Sequence, residues 1–189
     1  MEAAEIPALM TERLRLRGPR GSDFEDYAAL YADPEVVRLI GSGETWDRGR
    51  AWRHMAFAVG HWQLEGTGVW VAEEKASGAF VGVIGFWEPA ASPGFELCWH
   101  LARCHWGQGY ATEGARAALG HAFTVWQRKH VMSLVNPANH ASIRVVERVG
   151  ERLEGRIDHC SRQMLLYGLD RATYLAEVAP TGDLARCAG

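Results

Sequence analysis

The chain has little of what marks secreted or membrane proteins. It holds four cysteines in 189 residues, Cys98, Cys104, Cys160 and Cys187, and no two of them form a Cys-x-x-Cys pair. A disulfide framework is not expected, and reduced thiols in a cytoplasmic setting are the default. No stretch approaches the roughly 18 consecutive apolar residues of a membrane span. The start lacks a basic segment followed by an apolar run, so no secretion signal is expected. Charge of one sign is also lacking: the formal net charge is −3. That near-balance argues against nucleic acid or an anionic membrane surface as the main partner. No internal repeat is found.

What is present is an ordinary globular balance, 48% apolar and 23% charged residues. The length supports one sizeable core without requiring a second. A single domain over 1–178 is expected. Residues 179–189 carry a proline, two glycines and little pattern, and are expected to form a mobile tail.

Residues 12–17 (ERLRLR) alternate, with Leu14 and Leu16 on one face and Arg13, Arg15 and Arg17 on the other. That is the period of a half-buried strand with a solvated arginine row. Ser22 and Asp23 open a helix running through Tyr31. A second helix is predicted over 46–65, where Trp52, Met55, Ala56, Val59 and Trp62 lie close to one stripe. Between them, Gly41-Ser42-Gly43 reads as a loop. Strands are predicted over 68–74 and 80–88, then over 95–101 after a loop at 88–94. The clearest helix spans 109–128, with Ala111, Ala115, Ala118, Leu119, Ala122, Phe123 and Trp126 on one stripe. A strand at 131–135, a helix at 139–148 stopped by Gly150, and strands near 151–157 and 162–169 complete the pattern. The order β-α-α-β-β-β-α-β-α-β-β predicts an α/β (α+β) fold. Its sheet is mixed and mostly antiparallel, with about seven strands and about four helices.

The strand Phe95–Leu101 has an apolar face, Phe95, Leu97, Trp99 and Leu101, and a second face of Glu96, Cys98 and His100. It runs into Trp106-Gly107-Gln108-Gly109-Tyr110-Ala111-Thr112 and the clearest helix. A glycine turn at a helix N-terminus offers unspent N–H groups and a positive dipole end, which suits a phosphate or pyrophosphate. Glycine lets backbone approach the ligand closely. A tight turn without a ligand has the same signature. The third glycine of a dinucleotide fingerprint is missing, and so is the Gly-Lys-Ser/Thr of a P-loop.

The run LARCHWGQGYATEGARAAL, followed by NPANHASIRVVERVG at 136–150, resembles the GNAT acetyltransferase superfamily. With TERLRLR at 11–17 and ADPEVVRLIG at 32–41, the chain is similar to its ribosomal-protein N-acetyltransferase-like (Rim-type) branch, from about residue 11 to 175. The resemblance implies a splayed sheet with acetyl-CoA wedged between the fourth and fifth strands. Gly107, Gln108, Gly109, Tyr110, Ala111 and Thr112 would hold the pyrophosphate through backbone N–H groups. His100 and Leu101 would pair with the pantetheine arm, and Asn139 would contact it. Trp106 takes a place that is usually aromatic in the Rim-type branch. The same likeness implies an amine acceptor, a protein N-terminus or a small molecule, and is compatible with a homodimer.

An amine that attacks a thioester must first lose a proton, so a general base is needed. Glu96 is the first candidate; the bland alternative is a glutamate on an exposed strand face. Ser142 is the candidate acid for the leaving thiolate, in place of the tyrosine that many GNAT relatives carry one turn further on, where this chain has Val146. Ser142 and Asn139 also suit simple helix capping. Glu113 suits the first turn of a helix on dipole grounds alone. His100, Cys104 and His105 form an H-x3-C-H cluster that lacks a fourth ligand, so no metal is expected. Cys160 beside His159 would point to opposite strand faces, against a nucleophile pair. Trp46, Trp52 and Trp62 are candidates for an acceptor pocket walled by 22–65, with core packing as the favoured explanation for each. A CoA-binding sensor without catalysis, and a nucleotide-binding protein using the same turn, remain alternatives.

Overall fold

The computed structural model describes residues 5–90, 92–159 and 162–179. At its centre lie eight strands: β1 (Leu9–Met10), β2 (Leu14–Arg17), β3 (Val69–Glu74), β4 (Phe80–Trp87), β5 (Glu96–Leu101), β6 (His130–Val135), β7 (Arg152–His159) and β8 (Arg162–Asp170). They form one sheet in the order β1-β2-β3-β4-β5-β6-β8-β7. Every neighbouring pair is antiparallel except β5 and β6. The eighth strand, beyond the seven expected, is β1, whose two residues are too few for alternation to register.

The helices are α1 (Phe24–Ala32), α2 (Pro34–Val37), α3 (Arg48–Glu65), α4 (Tyr110–Thr124), α5 (His140–Arg148) and α6 (Arg171–Thr173), the last running into a π turn at Tyr174–Val178. One sheet face carries α4. Ala115, Ala118, Leu119, Ala122 and Phe123 are fully buried there in one cluster with Ile84, Phe86, Leu97 and Leu101. Gly114 lets the helix come close, because a Cβ there would lie 2.3 Å from Ile84 Cδ1. Truncating a residue such as Leu119 to alanine removes about 2–5 kcal/mol. The other face carries α1 and α3, where Tyr27, Tyr31 and Met55 pack on Val71 and Val83.

The strongest helix stops at Thr124, four residues before the expected end at 128. Gln127 adopts φ 52°, and the N–H groups of Trp126 and Arg128 turn back onto the carbonyls of His121 and Ala122. Trp126 still continues the apolar stripe by stacking on Trp70 at 5.6 Å. The four-residue α2 was not expected. It needs no stripe, because Asp33 accepts the Glu35 N–H at 2.9 Å and Pro34 opens the turn.

The arginine row is solvated only in part. Arg13 and Arg15 are about half exposed, but Arg17 is buried. Its guanidinium donates to both oxygens of Asp23 at 2.8 Å and to Glu73 at 2.8 Å. Two carboxylates, one six residues along the chain and the other 56, draw the side chain inward. Removing one partner of such a buried group costs about 3–5 kcal/mol. The expected tail lies, from residue 180 on, outside the described residues. No helix among the described residues is long and apolar enough to cross a membrane.

Candidate active site

The parallel pair β5–β6 meets at one register point, Glu96 opposite Met132. The Met132 N–H donates to Phe95 O at 3.0 Å, and Ser133 Oγ donates to Leu97 O at 3.1 Å. Beyond that point the strands part. Backbone groups alternate sides along a strand, so the amides of Trp99 and Leu101 face the gap. His100 faces the other way: its carbonyl turns to β4, where a Cβ on Gly82 would come within 2.2 Å of it. The strand-end backbone available to a ligand is therefore that of Trp99 and Leu101, with Leu101 O already accepting the Trp106 indole N–H at 2.8 Å. A cleft of about 600 Å³ runs through the gap and is lined by both strand ends, the glycine turn and α5.

The turn closes one end of this cleft. Gly107 and Gly109 hold φ 73° and 85°, a region where a Cβ is strained. The Glu113 N–H makes the first helical bond, to Gly109 O at 3.0 Å. The amides of Tyr110, Ala111 and Thr112 precede it and lie outside the helix's own bonding. Gln108 turns away from the cleft, with Nε2 donating to Cys104 O at 2.9 Å.

Arg13 pins the turn from behind. It donates from Nη1 to Gln108 O at 2.9 Å and from Nε to Glu113 at 2.7 Å. Glu113 also accepts the Arg13 backbone N–H at 2.7 Å and the Thr11 hydroxyl at 2.5 Å. The Arg13 guanidinium covers the Tyr110 ring at 4.5 Å, and the Tyr110 hydroxyl donates to Glu74. Glu113 thus does more than complement the dipole. The pin joins residues about a hundred positions apart, which local pattern does not reveal.

Glu96 sits where the strands part. Protein crowds its carboxyl, and burial pushes its pKa up to about 7, opposed by the hydrogen bond from the Leu134 N–H that the splay releases. Burial, then the nearby Glu96 charge, pushes the Cys98 thiol well above its usual range. His100 is driven down to about 3 by burial and then by His54, and its Nδ1 meets the Tyr31 hydroxyl at 2.8 Å. Ser142 and Asn139 both line the cleft. Asn139 Oδ1 accepts the Ser142 N–H at 3.1 Å, a cap worth about 1 kcal/mol. The Ser142 hydroxyl makes no hydrogen bond among the described residues.

A second buried carboxyl, Glu151, has no local sequence signal. Burial pushes its pKa up to about 8. Ser133 Oγ lies 3.1 Å from Leu97 O and 3.0 Å from Glu151 Oε1. The Ser133 hydroxyl shares its proton between Leu97 O and Glu151 Oε1, and the second bond opposes the rise in the Glu151 pKa. Arg144 and Arg148 on α5 also line the cleft and add positive charge to its wall.

Other candidates disperse. Trp62 is core, Trp52 is exposed against Phe24, and Trp46 stacks on Tyr31 at 4.0 Å. None of the three lines the cleft; Trp87 does, with residues 35, 36 and 38–41 as the only part of 22–65 in its wall. Among the described residues no three of His, Cys, Asp and Glu gather to hold a metal ion. Cys160 lies outside the described residues.

The family model of the acetyltransferase (GNAT) domain matches residues 13–152. The chain belongs to that family, whose members use acetyl-CoA. The Bacillus subtilis protein YkkB is 31% identical over 169 residues, covering 88% of this chain and 96% of YkkB. A crystal structure of an acetyltransferase from Agrobacterium tumefaciens is 31% identical, with a TM-score of 0.78, covering 87% of this chain and 95% of that one. RimJ from Mycobacterium smegmatis, in complex with CoA-disulfide, shares the fold at 20% identity and a TM-score of 0.73, covering 93% and 97% of the two chains.

Proposed function

We propose that this protein transfers an acetyl group from acetyl-CoA to a primary amine by direct attack, with no covalent enzyme intermediate. The observation that carries the reading is the splay of β5 from β6, with a glycine turn at one end and Glu96 at the point of parting. The residues present fit the CoA thioester. The Tyr110, Ala111 and Thr112 amides would take the pyrophosphate, with Gly107 and Gly109 leaving room and Arg144 and Arg148 in the cleft wall. The Trp99 and Leu101 backbone would pair with the pantetheine arm, and Asn139 would border it.

Glu96 would accept a proton from the incoming ammonium. A group whose pKa is about 7 is partly ionised at neutral pH and basic enough for the task. The nitrogen–carbonyl bond then forms as the carbon–sulfur bond breaks, and the second proton leaving the nitrogen would pass through the Ser142 hydroxyl to the departing thiolate. The Cys98 thiol, held protonated, is a poor competitor for the acetyl group. RimJ, which shares the fold, is bound to a form of CoA, and a CoA ligand here is in keeping with that.

The test is acetyl-CoA binding by calorimetry, combined with free-thiol release against a panel of amines. Binding with amine-dependent release is expected. Binding without turnover on any amine would leave a CoA sensor, and preference for NAD or ATP would remove the acetyltransferase reading.

A further inference from the structure

The acceptor end of the cleft has a chemical character of its own. Trp87, the last residue of β4, stands directly opposite Glu96 on β5. Directly opposed residues share a sheet face with their side chains adjacent. The indole is braced from behind by Phe57, stacked at 5.2 Å, and by the rings of His54 and His61 at 5.4 Å. A carboxyl beside a fixed indole is a corner for one ammonium, held by charge and by the aromatic face together.

Beyond that corner, free negative charge runs out among the described residues. The thiol of Cys98 is protonated, and the His100 ring is neutral and bound to Tyr31. Leu39 and Ile40, which follow α2, and Met164 of β8 supply apolar wall. The cleft's other carboxylate, Glu35, is paired with Arg38 at 3.1 Å, and both are more than half exposed at the rim. Among the described residues lining the cleft, a second ammonium would have no free carboxylate to meet. Burying that charge without a partner costs several kcal/mol.

The acceptor end is also bridged. Arg162 Nη2 of β8 donates to Ser42 O at 2.5 Å, which ties β8 to the loop that follows α2. Residues from both of these elements line the cleft.

We propose that the acceptor is a small monoamine carried on an uncharged, apolar body, with its nitrogen between Glu96 and the Trp87 indole. This rests on the acetyltransferase reading and narrows it. Polyamines and aminoglycosides, which carry further ammonium groups, are the classes this excludes.

The test compares kcat/KM of the full chain with acetyl-CoA and phenethylamine, isoamylamine, spermidine, kanamycin, phenylalanine or an alanine-led hexapeptide. Either monoamine is expected to exceed every other acceptor by at least about tenfold. Trp87→Ala should lower monoamine kcat/KM by about tenfold with KM for acetyl-CoA unchanged, and Trp87→Phe should restore most of it. Spermidine, kanamycin, phenylalanine or the peptide as best acceptor would overturn the inference and leave the acetyltransferase reading standing. Should no amine be turned over, that reading fails. Calorimetric binding of phenethylamine and spermidine to the CoA-saturated chain then decides the inference alone: tighter phenethylamine supports it, tighter spermidine overturns it.

Discussion

At the scale of the residue, Glu96 carries the heaviest functional claim. Its strand position was legible, because alternation separates it from Phe95 and Leu97. Its half-buried setting was not, because that depends on α1 and α3 covering the same face. Glu96→Gln should lower kcat by about 10²–10⁴-fold while the acetyl-CoA Kd stays within about twofold. A base acts when deprotonated, so wild-type kcat should rise with pH through about 7, and the substituted enzyme should lack that limb. A pH–rate profile that is unchanged by the substitution would remove Glu96 from the role. Gly109→Asp is the matching test of the turn. It strains φ 85° and sets a carboxylate beside the unspent amides. Calorimetry should detect no acetyl-CoA binding, and retained affinity would count against the turn as the pyrophosphate seat.

At the scale of the element, the strand–turn–helix unit was readable as a unit, since Leu101, Gly109 and the α4 stripe follow one another in sequence. What holds it in place was not. The pin made by Arg13, Glu113 and Gln108 O joins the residue before β2 to the turn across 95 positions. Arg13 read as one of three solvated arginines because alternation reports a face and never the neighbour beyond it. Arg13→Ala should free the Gln108 carbonyl and raise KM for acetyl-CoA by about tenfold, near 1.4 kcal/mol, with kcat within about twofold. Steady-state kinetics with acetyl-CoA as the varied substrate would check this. A fall in kcat at unchanged KM would refute the positioning role. The end of α4 and the whole of α2 were missed for related reasons: Gln127 leaves the helical region so that Trp126 can reach Trp70, and α2 is too short for periodicity.

At the scale of the whole molecule, a buried acid near the sheet's parting couples stability to pH. The Glu151 pKa is raised to about 8 from an ordinary value of 4.5. Between those limits the folded chain binds more protons than the unfolded chain, so this group's contribution falls as pH rises and is lost above about 8. Glu151→Gln keeps the hydrogen bond to Ser133 without an ionisable group. Its Tm should match wild type near pH 5 and exceed it by more than about 4 °C near pH 9. Thermal melts at both pH values would check this, and parallel shifts at the two would contradict the buried-acid account.

The order of strands and helices, the two faces of β5 and the glycine turn before α4 came from sequence alone. Each is a matter of period or of backbone freedom, which neighbours along the chain express. The convergence of Trp87 with Glu96, the proton shared through Ser133 and Glu151, and the inward turn of Arg17 were decided only by tertiary structure. Burial and pairing depend on what lies across the sheet, and residues far apart in the chain carry no mark of meeting. The family was thus readable from local motifs, whereas the character of the acceptor corner emerges only where β4, β5 and the loop after α2 come together.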